Sequence, residues 1–194
     1  MMDRAVVLDR DGTVIEECHY LSDPAQVVLI PNIGPALRVL QASGLRLVIV
    51  TNQSAIGRGV FDLKRLEAIH ARMQQLLATE GVSIDGIYFC PHTPDDGCVC
   101  RKPRPGLMEQ VARDYHITPR RCFVIGDKAC DVEFGRAIGA ITFLVKTGYG
   151  AELAAQGIDA ADYVVDDVSA AVPIIQQLLV RRGRSRLQPA KPLV

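Results

Sequence analysis

Two carboxylates separated by one residue follow an apolar run near the start of the chain. Asp9 and Asp11 come directly after Ala5–Leu8, whose unbroken apolar character is typical of a parallel strand buried on both faces. Side chains two residues apart in an extended segment point the same way, so like charges there repel unless a cation lies beside them. Carboxylate oxygens suit a hard cation such as Mg²⁺. The alternative is a solvated pair in a turn, because Asp and Gly are ordinary turn formers.

Two later apolar runs also end in polar side chains. Hydroxyl and amide groups follow residues 45–50, and such groups can hydrogen-bond phosphate oxygens. Acidic and basic groups follow residues 122–125 after a glycine. The side chains are Thr51, Asn52, Gln53 and Ser54 after the first of these runs, and Asp127, Lys128 and Asp131 after the second.

The segment 90–103, with the sequence CPHTPDDGCVCRKP, carries the most specific local signal in the chain. Three thiols and one imidazole lie within eleven residues, which matches the ligand set of a closed tetrahedral Zn²⁺ site. The alternative is a loop with incidental cysteines. Four protein ligands leave no open position, so the zinc is expected to be structural and to fold a loop that has no core of its own. The ligands are Cys90, His92, Cys98 and Cys100, while Cys18, Cys122 and Cys130 lack such spacing and are expected to be core residues or to support a site from behind.

Apolar strands alternate with amphipathic helices along the chain. Helical spacing of apolar residues is found in 32–43, 62–80, 108–115, 131–138 and 168–180, and Asn32 is the candidate N-cap of the first helix. The strands are 5–8, 45–50, 84–89, 122–125 and 141–145, with a short one near Tyr163. This alternation predicts an α/β fold with a doubly wound, mostly parallel sheet. The polar groups at the strand ends should therefore meet at one edge of the sheet.

Length and composition suit one folded domain followed by a tail. The chain has 194 residues, of which 48% are hydrophobic, enough for a single core over residues 1–180. Residues 181–194 hold five basic residues and no acidic one, which leaves 17 basic and 22 acidic residues in the rest of the chain. A basic tail of this kind that contains proline is predicted to be disordered.

The sequence also bounds the compartment and the partners. No charged segment followed by an apolar core opens the chain and no apolar run approaches the length of a membrane span, so a cytoplasmic protein without a membrane partner is expected. We also expect a monomer. A zinc-knuckle module that binds nucleic acid is an alternative. Aromatic platforms for single strands are scarce, however, with five Phe, five Tyr and no Trp.

Four motifs in this order resemble those of the haloacid dehalogenase superfamily of phosphatases. They are DRDGT around Asp9, Thr51 after the second strand, Lys102 after the third, and GDKACD, which ends at Asp131. The resemblance implies a Rossmann-like sheet in which the first and fourth strands are neighbours, although 118 positions separate Asp9 from Asp127. The short segments between strands leave no room for a large cap domain, so we expect an open cleft with a zinc-binding loop beside it.

The resemblance implies a phosphatase and a catalytic role for four residues. Asp9 would be the nucleophile that forms an aspartyl phosphate. Asp11 would protonate the leaving oxygen and later deprotonate the attacking water. Thr51 and Lys102 would bind the transferring phosphoryl group.

The resemblance also implies a magnesium site. Mg²⁺ would be held by Asp9, the backbone carbonyl of Asp11 and Asp127, because a phosphate dianion does not approach carboxylates unshielded. Lys128 and Asp131 would orient Asp127 and the waters of the metal from a second layer.

Within the superfamily, the zinc loop together with TNQSAIGRG and GDK most resembles the heptose bisphosphate phosphatases. These remove the C7 phosphate of D-glycero-D-manno-heptose 1,7-bisphosphate in the synthesis of nucleotide-activated heptose for lipopolysaccharide or other surface glycans. Histidinol-phosphate phosphatases share the zinc loop and are the nearest alternative. A polynucleotide 3′-phosphatase is a further one, but it would need a basic groove and the body of the chain is acidic. Contacts to a small sugar bisphosphate are expected from Glu17, Cys18, His19, Tyr20, Asn52, Gln53, Ser54, Arg58 and Arg101, with one or both arginines on the second phosphate.

Overall fold

A six-stranded parallel sheet forms the centre of the computed structural model, which describes residues 3–157 and 160–185. The order across the sheet is β3-β2-β1-β4-β5-β6, so β1 lies between β2 and β4, as expected. The direction of winding reverses beside β1, and ligands bind at such a point in α/β sheets. The strands are β1 (Ala5–Leu8), β2 (Arg46–Asn52), β3 (Gly86–Cys90), β4 (Phe123–Gly126), β5 (Ile141–Val145) and β6 (Tyr163–Val165).

Seven α-helices are found in the described ranges. Five of them were predicted, whereas α2 and α6 were not, because helices of one or two turns carry too few residues to show an apolar period. The last helix continues to Ser185, into the tail that was predicted to begin at residue 181, and arginine is a good helix former. The rest of the predicted disordered tail, 186–194, lies outside the described residues. The helices are α1 (Ile33–Ala42), α2 (Ser54–Gly57), α3 (Leu63–Thr79), α4 (Gly106–Tyr115), α5 (Ala129–Ala137), α6 (Gly150–Ala155) and α7 (Val168–Ser185).

The side chains of β1 alternate between two core layers. Val6 and Leu8 belong to the cluster formed with α1, α3 and α7, whereas Ala5 and Val7 belong to the cluster formed with α4 and α5. All four side chains are buried. Burial on both faces explains the unbroken apolar run, since neither side of the strand meets water. The doubly wound α/β fold is therefore confirmed.

The residues that precede α1 and α3 differ as N-caps. Asp62 accepts a hydrogen bond from the Arg65 amide at 2.9 Å and caps α3. Asn32 precedes α1, but its φ of 64° is left-handed and its side chain makes no capping hydrogen bond. The prediction that Asn32 caps α1 was wrong, because a capping side chain reaches the first turn from an extended backbone.

Within residues 3–157 and 160–185, no large cap domain interrupts the sheet. Between β1 and β2 the chain folds back on itself, with the Glu16 amide bonded to the Val28 carbonyl at 2.9 Å, before α1 begins. Between β3 and α4 lies only the segment with the cysteines. The region beyond the carboxyl end of β1 is therefore left uncovered. Within the described ranges, every helix is too short or too polar to cross a membrane.

Candidate active site

The strand ends open into one cleft of about 220 Å³. Its walls include the predicted catalytic residues Asp9, Asp11, Thr51 and Lys102. Arg58 follows α2, is exposed, and is not among the described residues that line the cleft. The other predicted substrate contacts line it, namely Glu17, Cys18, His19, Tyr20, Asn52, Gln53, Ser54 and Arg101.

Asp9, which directly follows β1, forms an ion pair with the buried ammonium group of Lys102. Lys102 Nζ lies 2.9 Å from Asp9 Oδ1 and 2.6 Å from Asp131 Oδ1, and it donates to the Val50 carbonyl at 2.5 Å. Burial raises the pKa of Asp9, but the charges of Lys102 and Lys128 together outweigh it and hold the pKa below its usual value. Asp9 is thus ionised, which is the form that a carboxylate nucleophile needs.

Lys102 is held by its backbone as well as by its charge. The Lys102 amide donates to Asn52 Oδ1 at 3.0 Å, and Asn52 Nδ2 donates back to the Lys102 carbonyl at 3.1 Å. Burial lowers the pKa of Lys102, but Asp131 and Asp9 outweigh it, so the net shift is upward and the ammonium is kept. Both polar atoms of the Asn52 side chain are therefore bonded to the backbone of Lys102, although Asn52 was predicted to contact substrate.

Asp9 belongs to a cluster of three carboxylates. Oxygens of Asp9, Asp127 and Asp131 all lie within 4.8 Å of one another. Asp127 Oδ1 is buried without a hydrogen bond. Burial raises the pKa of Asp127 to about 7, with Lys128 opposing and Asp9 adding to the rise. A buried oxygen without a partner and three converging carboxylates fit a hard divalent cation. Asp131, predicted to act from a second layer, contributes an oxygen to the cluster itself.

Two loops close over Asp127 at glycines. A Cβ on Gly12 would lie 2.3 Å from Asp127 Oδ2, and a Cβ on Gly148 would lie 2.2 Å from it. Both glycines have positive φ, 78° and 55°. The same oxygen accepts a hydrogen bond from the Tyr149 amide at 3.0 Å. Only glycine allows both backbones to approach the carboxylate so closely.

Lys128 reaches over the carboxylates into the cleft. Its Nζ lies 2.9 Å from Glu17 Oε2, 3.8 Å from Asp127 Oδ1 and 3.9 Å from Asp9 Oδ2. Burial lowers the pKa of Lys128, but Asp9 and Asp127 outweigh it and the net shift is upward. Lys128 contacts Asp127, in keeping with its predicted role, and it also lines the cleft.

Asp11 is held by Gln53, which was predicted to contact substrate, and by Arg10, which with its neighbour His70 was missed in the sequence analysis. Arg10 Nε and Nη2 lie 2.9–3.1 Å from both Asp11 oxygens, and Gln53 Nε2 donates to Asp11 Oδ2 at 2.8 Å. Arg10 Nη1 lies 3.1 Å from His70 Nε2. Gln53 also bonds Thr51 Oγ1 at 2.8 Å, so its amide is used inside the protein although it lines the cleft. The one available signal was a basic residue between two acids, whereas His70 has no local signal.

The predicted zinc ligands converge. Cys100 Sγ lies 3.3 Å from Cys90 Sγ and 3.5 Å from Cys98 Sγ, and His92 Nδ1 lies 3.3 Å from Cys100 Sγ. Ligands about 2.3 Å from a tetrahedral centre are about 3.8 Å from one another, whereas a disulfide would need about 2.05 Å. All six cysteines are free. The residues therefore fit a closed zinc site.

The zinc loop borders the catalytic loops. Arg101 Nη1 donates to the His92 carbonyl at 3.1 Å, next to Lys102 in the chain. The backbone amide of Gln53 donates to the Cys90 carbonyl at 2.7 Å. A structural change in the segment 90–103 would therefore affect the positions of Arg101 and Gln53, which both line the cleft.

The three remaining cysteines differ in their surroundings. Cys122 is buried in the core, as predicted, and Cys130 is half-buried at the wall of the cleft. Cys18 is exposed, so the prediction of a core position is wrong for it and its place in the cleft wall stands instead.

Known proteins resemble this chain in sequence and fold. The profile of the HAD-hydrolase-like family matches residues 99–171. A Pseudomonas putida protein named D-glycero-beta-D-manno-heptose-1,7-bisphosphate 7-phosphatase is 38% identical over 168 residues, 86% of this chain and 96% of the relative. A Pseudomonas aeruginosa protein of the same name is 36% identical over 173 residues, 89% of this chain and 97% of the relative.

A solved structure gives the same result. The D,D-heptose 1,7-bisphosphate phosphatase of B. bronchiseptica, complexed with magnesium and phosphate, superposes with a TM-score of 0.84 at 35% identity, over 90% of this chain and 99% of that one. Relatives this similar, matched over nearly their whole length, share the fold and the family. The chain therefore belongs to the haloacid dehalogenase-like hydrolases, in the family of the heptose bisphosphate phosphatases, and it is a phosphatase.

Proposed function

We propose that the chain removes the C7 phosphate of D-glycero-D-manno-heptose 1,7-bisphosphate through an aspartyl phosphate on Asp9, with Mg²⁺ bound beside it. The observation that carries the proposal is the ionised Asp9 held 2.9 Å from Lys102 at the floor of an open cleft. A buried carboxylate fixed by a cation next to a carboxylate cluster is poised to attack phosphorus rather than to stabilise the fold.

The proposed reaction has two steps. An Asp9 oxygen attacks phosphorus, the bond from phosphorus to the sugar oxygen breaks, and that oxygen takes its electron pair and the proton of Asp11. A water molecule then attacks the aspartyl phosphate and gives its proton to Asp11, and the bond from phosphorus to Asp9 breaks to release phosphate. Lys102 neutralises charge on the transferring oxygens throughout.

Asp9, Asp127 and the backbone carbonyl of Asp11 would hold Mg²⁺, with Asp131 beside them. When bound, this cation supplies positive charge to the transferring phosphoryl group and shields the carboxylates from it. The crystal structure of a relative complexed with magnesium and phosphate supports magnesium as the cation. Zn²⁺ would be held by the Cys/His loop and would act on structure alone.

The substrate assignment depends on the cations beyond those that bind the scissile phosphate. Arg101 lines the cleft next to Lys102, whereas Arg58 lies outside the cleft wall. We therefore assign the C1 phosphate to Arg101, whose planar fork suits phosphate. The names of the relatives support a heptose bisphosphate. The proposed setting is nucleotide-heptose synthesis in the cytoplasm by a monomer.

Histidinol phosphate remains the competing substrate. Its ammonium group would meet the cations of the cleft, Arg101, Lys102 and Lys128, and would be repelled by them. The cleft thus favours a second phosphate over an amine.

A phosphate-release screen tests the proposal. The substrates are both anomers of heptose 1,7-bisphosphate, heptose 7-phosphate, histidinol phosphate and a 3′-phosphorylated oligonucleotide. The highest kcat/KM is expected for a bisphosphate. Arg101→Ala should raise KM for the bisphosphate by about tenfold, a loss of about 1.4 kcal/mol, and leave the monophosphate nearly unchanged. Arg58→Ala is the matched control and should change neither. Faster turnover of histidinol phosphate or of the oligonucleotide would contradict the heptose assignment.

A further inference from the structure

Arg10 is a buried cation that the proposed reaction does not use. Its side chain is 1% exposed, although it stands between two residues at the wall of the cleft. A charge at such a site is stable only if its donors are paired. Arg10 Nε and Nη2 face the Asp11 carboxylate, and Nη2 also donates to Gln53 Oε1 at 2.9 Å. The fourth contact is made by Nη1, with a side chain of α3.

His70 receives that contact from the interior of the protein. The side chain lies on α3, is 8% exposed, and offers Nε2 at 3.1 Å from Arg10 Nη1. A guanidinium has donors only, so His70 Nε2 must accept and the ring must be neutral. Burial, with the charge of Arg10 added to it, lowers the pKa of His70 to about 3, so the ring stays neutral at all ordinary pH values.

Gln53 holds the Asp11 carboxylate together with Arg10. Its Oε1 accepts from Arg10 and its Nε2 donates to Asp11 Oδ2 at 2.8 Å, so it bridges the guanidinium and the carboxylate. Both oxygens of Asp11 are thereby bonded to Arg10, and Oδ2 is bonded to Gln53 as well. A carboxylate with so many directed bonds has one preferred rotamer, and a fixed position is what a group that carries a proton to and from the reacting atoms needs.

We propose that His70 and Arg10 are positioning residues for Asp11, with His70 fixing the guanidinium and the guanidinium, together with Gln53, fixing the carboxylate. The inference rests on the proposed role of Asp11 as general acid and base. A purely structural pair of buried residues would affect stability and all substrates alike. A positioning pair affects only the steps in which Asp11 moves a proton.

The leaving group separates these two cases. Phosphoryl transfer from p-nitrophenyl phosphate to Asp9 releases a phenolate that needs no proton from Asp11. Transfer from an alkyl phosphate, such as glycerol 2-phosphate, releases an alkoxide that does need one. The test measures the first turnover of each ester by rapid quench, because the later hydrolysis step uses Asp11 for both.

The variants are His70→Leu, which removes the acceptor, and His70→Gln, whose amide oxygen can accept from Arg10. His70→Leu should slow the first turnover of glycerol 2-phosphate by about 10- to 100-fold and leave that of p-nitrophenyl phosphate within about twofold. His70→Gln should recover most of the loss. Met73→Leu, a buried change on α3 of similar volume, is the control and should alter neither rate.

Equal losses on both esters, or no loss for His70→Leu, would overturn the proposal. If His70→Leu does not fold, Arg10→Lys gives the same test, since lysine keeps the charge but lacks the fork. Arg10→Lys should slow the first turnover of glycerol 2-phosphate and leave that of p-nitrophenyl phosphate nearly unchanged. An equal loss of rate on both esters would contradict the positioning role of Arg10. Heptose 1,7-bisphosphate is measured alongside the two esters, and failure of the wild-type protein to turn it over would overturn the proposed function instead.

Discussion

Three aspartates at the cleft differ in their surroundings, and these differences fit the different roles that we propose for them. Asp9 is held ionised by two lysines although it is buried. Asp127 lacks a hydrogen bond to Oδ1, and burial raises its pKa to about 7. Asp11 is enclosed by the donors of Arg10 and Gln53. These differences support the proposal that the same carboxyl group serves as nucleophile, metal ligand and proton carrier according to its neighbours.

The raised pKa of Asp127 predicts a pH dependence of magnesium binding. Below about pH 7 this carboxyl carries a proton that the metal must displace, so affinity should fall about tenfold per unit as pH decreases and level off above about pH 8. Calorimetric titration of Mg²⁺ at about pH 6 and about pH 8 measures this. Asp127→Asn should bind weakly at both values, and equal wild-type affinities would contradict the prediction.

At the scale of elements, the loops after the strands matter more than the strands. The loop after β5 approaches Asp127 through Gly148, so Gly148→Ala should displace the carboxylate and weaken Mg²⁺ binding by about tenfold or more. Gly44→Ala is the matched control, because Gly44 also has positive φ, 77°, but open space around its Cβ position. Both variants should lose about 1–2 kcal/mol of stability. Equal magnesium affinities in the two would contradict the role of Gly148.

The zinc loop is expected to stabilise the fold and to place Lys102. Cys98→Ser should abolish stoichiometric zinc, lower Tm by about 5 °C and reduce kcat, because the loop ends at Arg101 and Lys102. Metal analysis and thermal unfolding of the purified protein measure both. Val99→Ser, an exposed change between two ligands, is the control. Full activity without zinc would contradict the prediction.

At the scale of the whole molecule, the sequence predicted the features that have a local pattern. Strand ends with polar residues, the Cys/His spacing and the order of the sheet followed from neighbours in the chain and from the family resemblance. The link from Arg10 to His70 joins positions sixty residues apart and leaves no periodic signal. Likewise Arg58, one residue past α2, lies outside the cleft, because the direction of a side chain after a short helix depends on tertiary packing.

The central claim is that Asp9 carries the phosphoryl group during turnover. Rapid acid quench of the magnesium-loaded protein with ³²P-labelled substrate, followed by peptide mass spectrometry, locates the label. We predict transient phosphorylation of Asp9, and loss of both label and turnover by about 10³-fold or more in Asp9→Asn. The control Asp95→Asn, on the exposed part of the zinc loop, should keep both. Full turnover with no label on Asp9, or a tenth of wild-type activity in Asp9→Asn, would contradict the account.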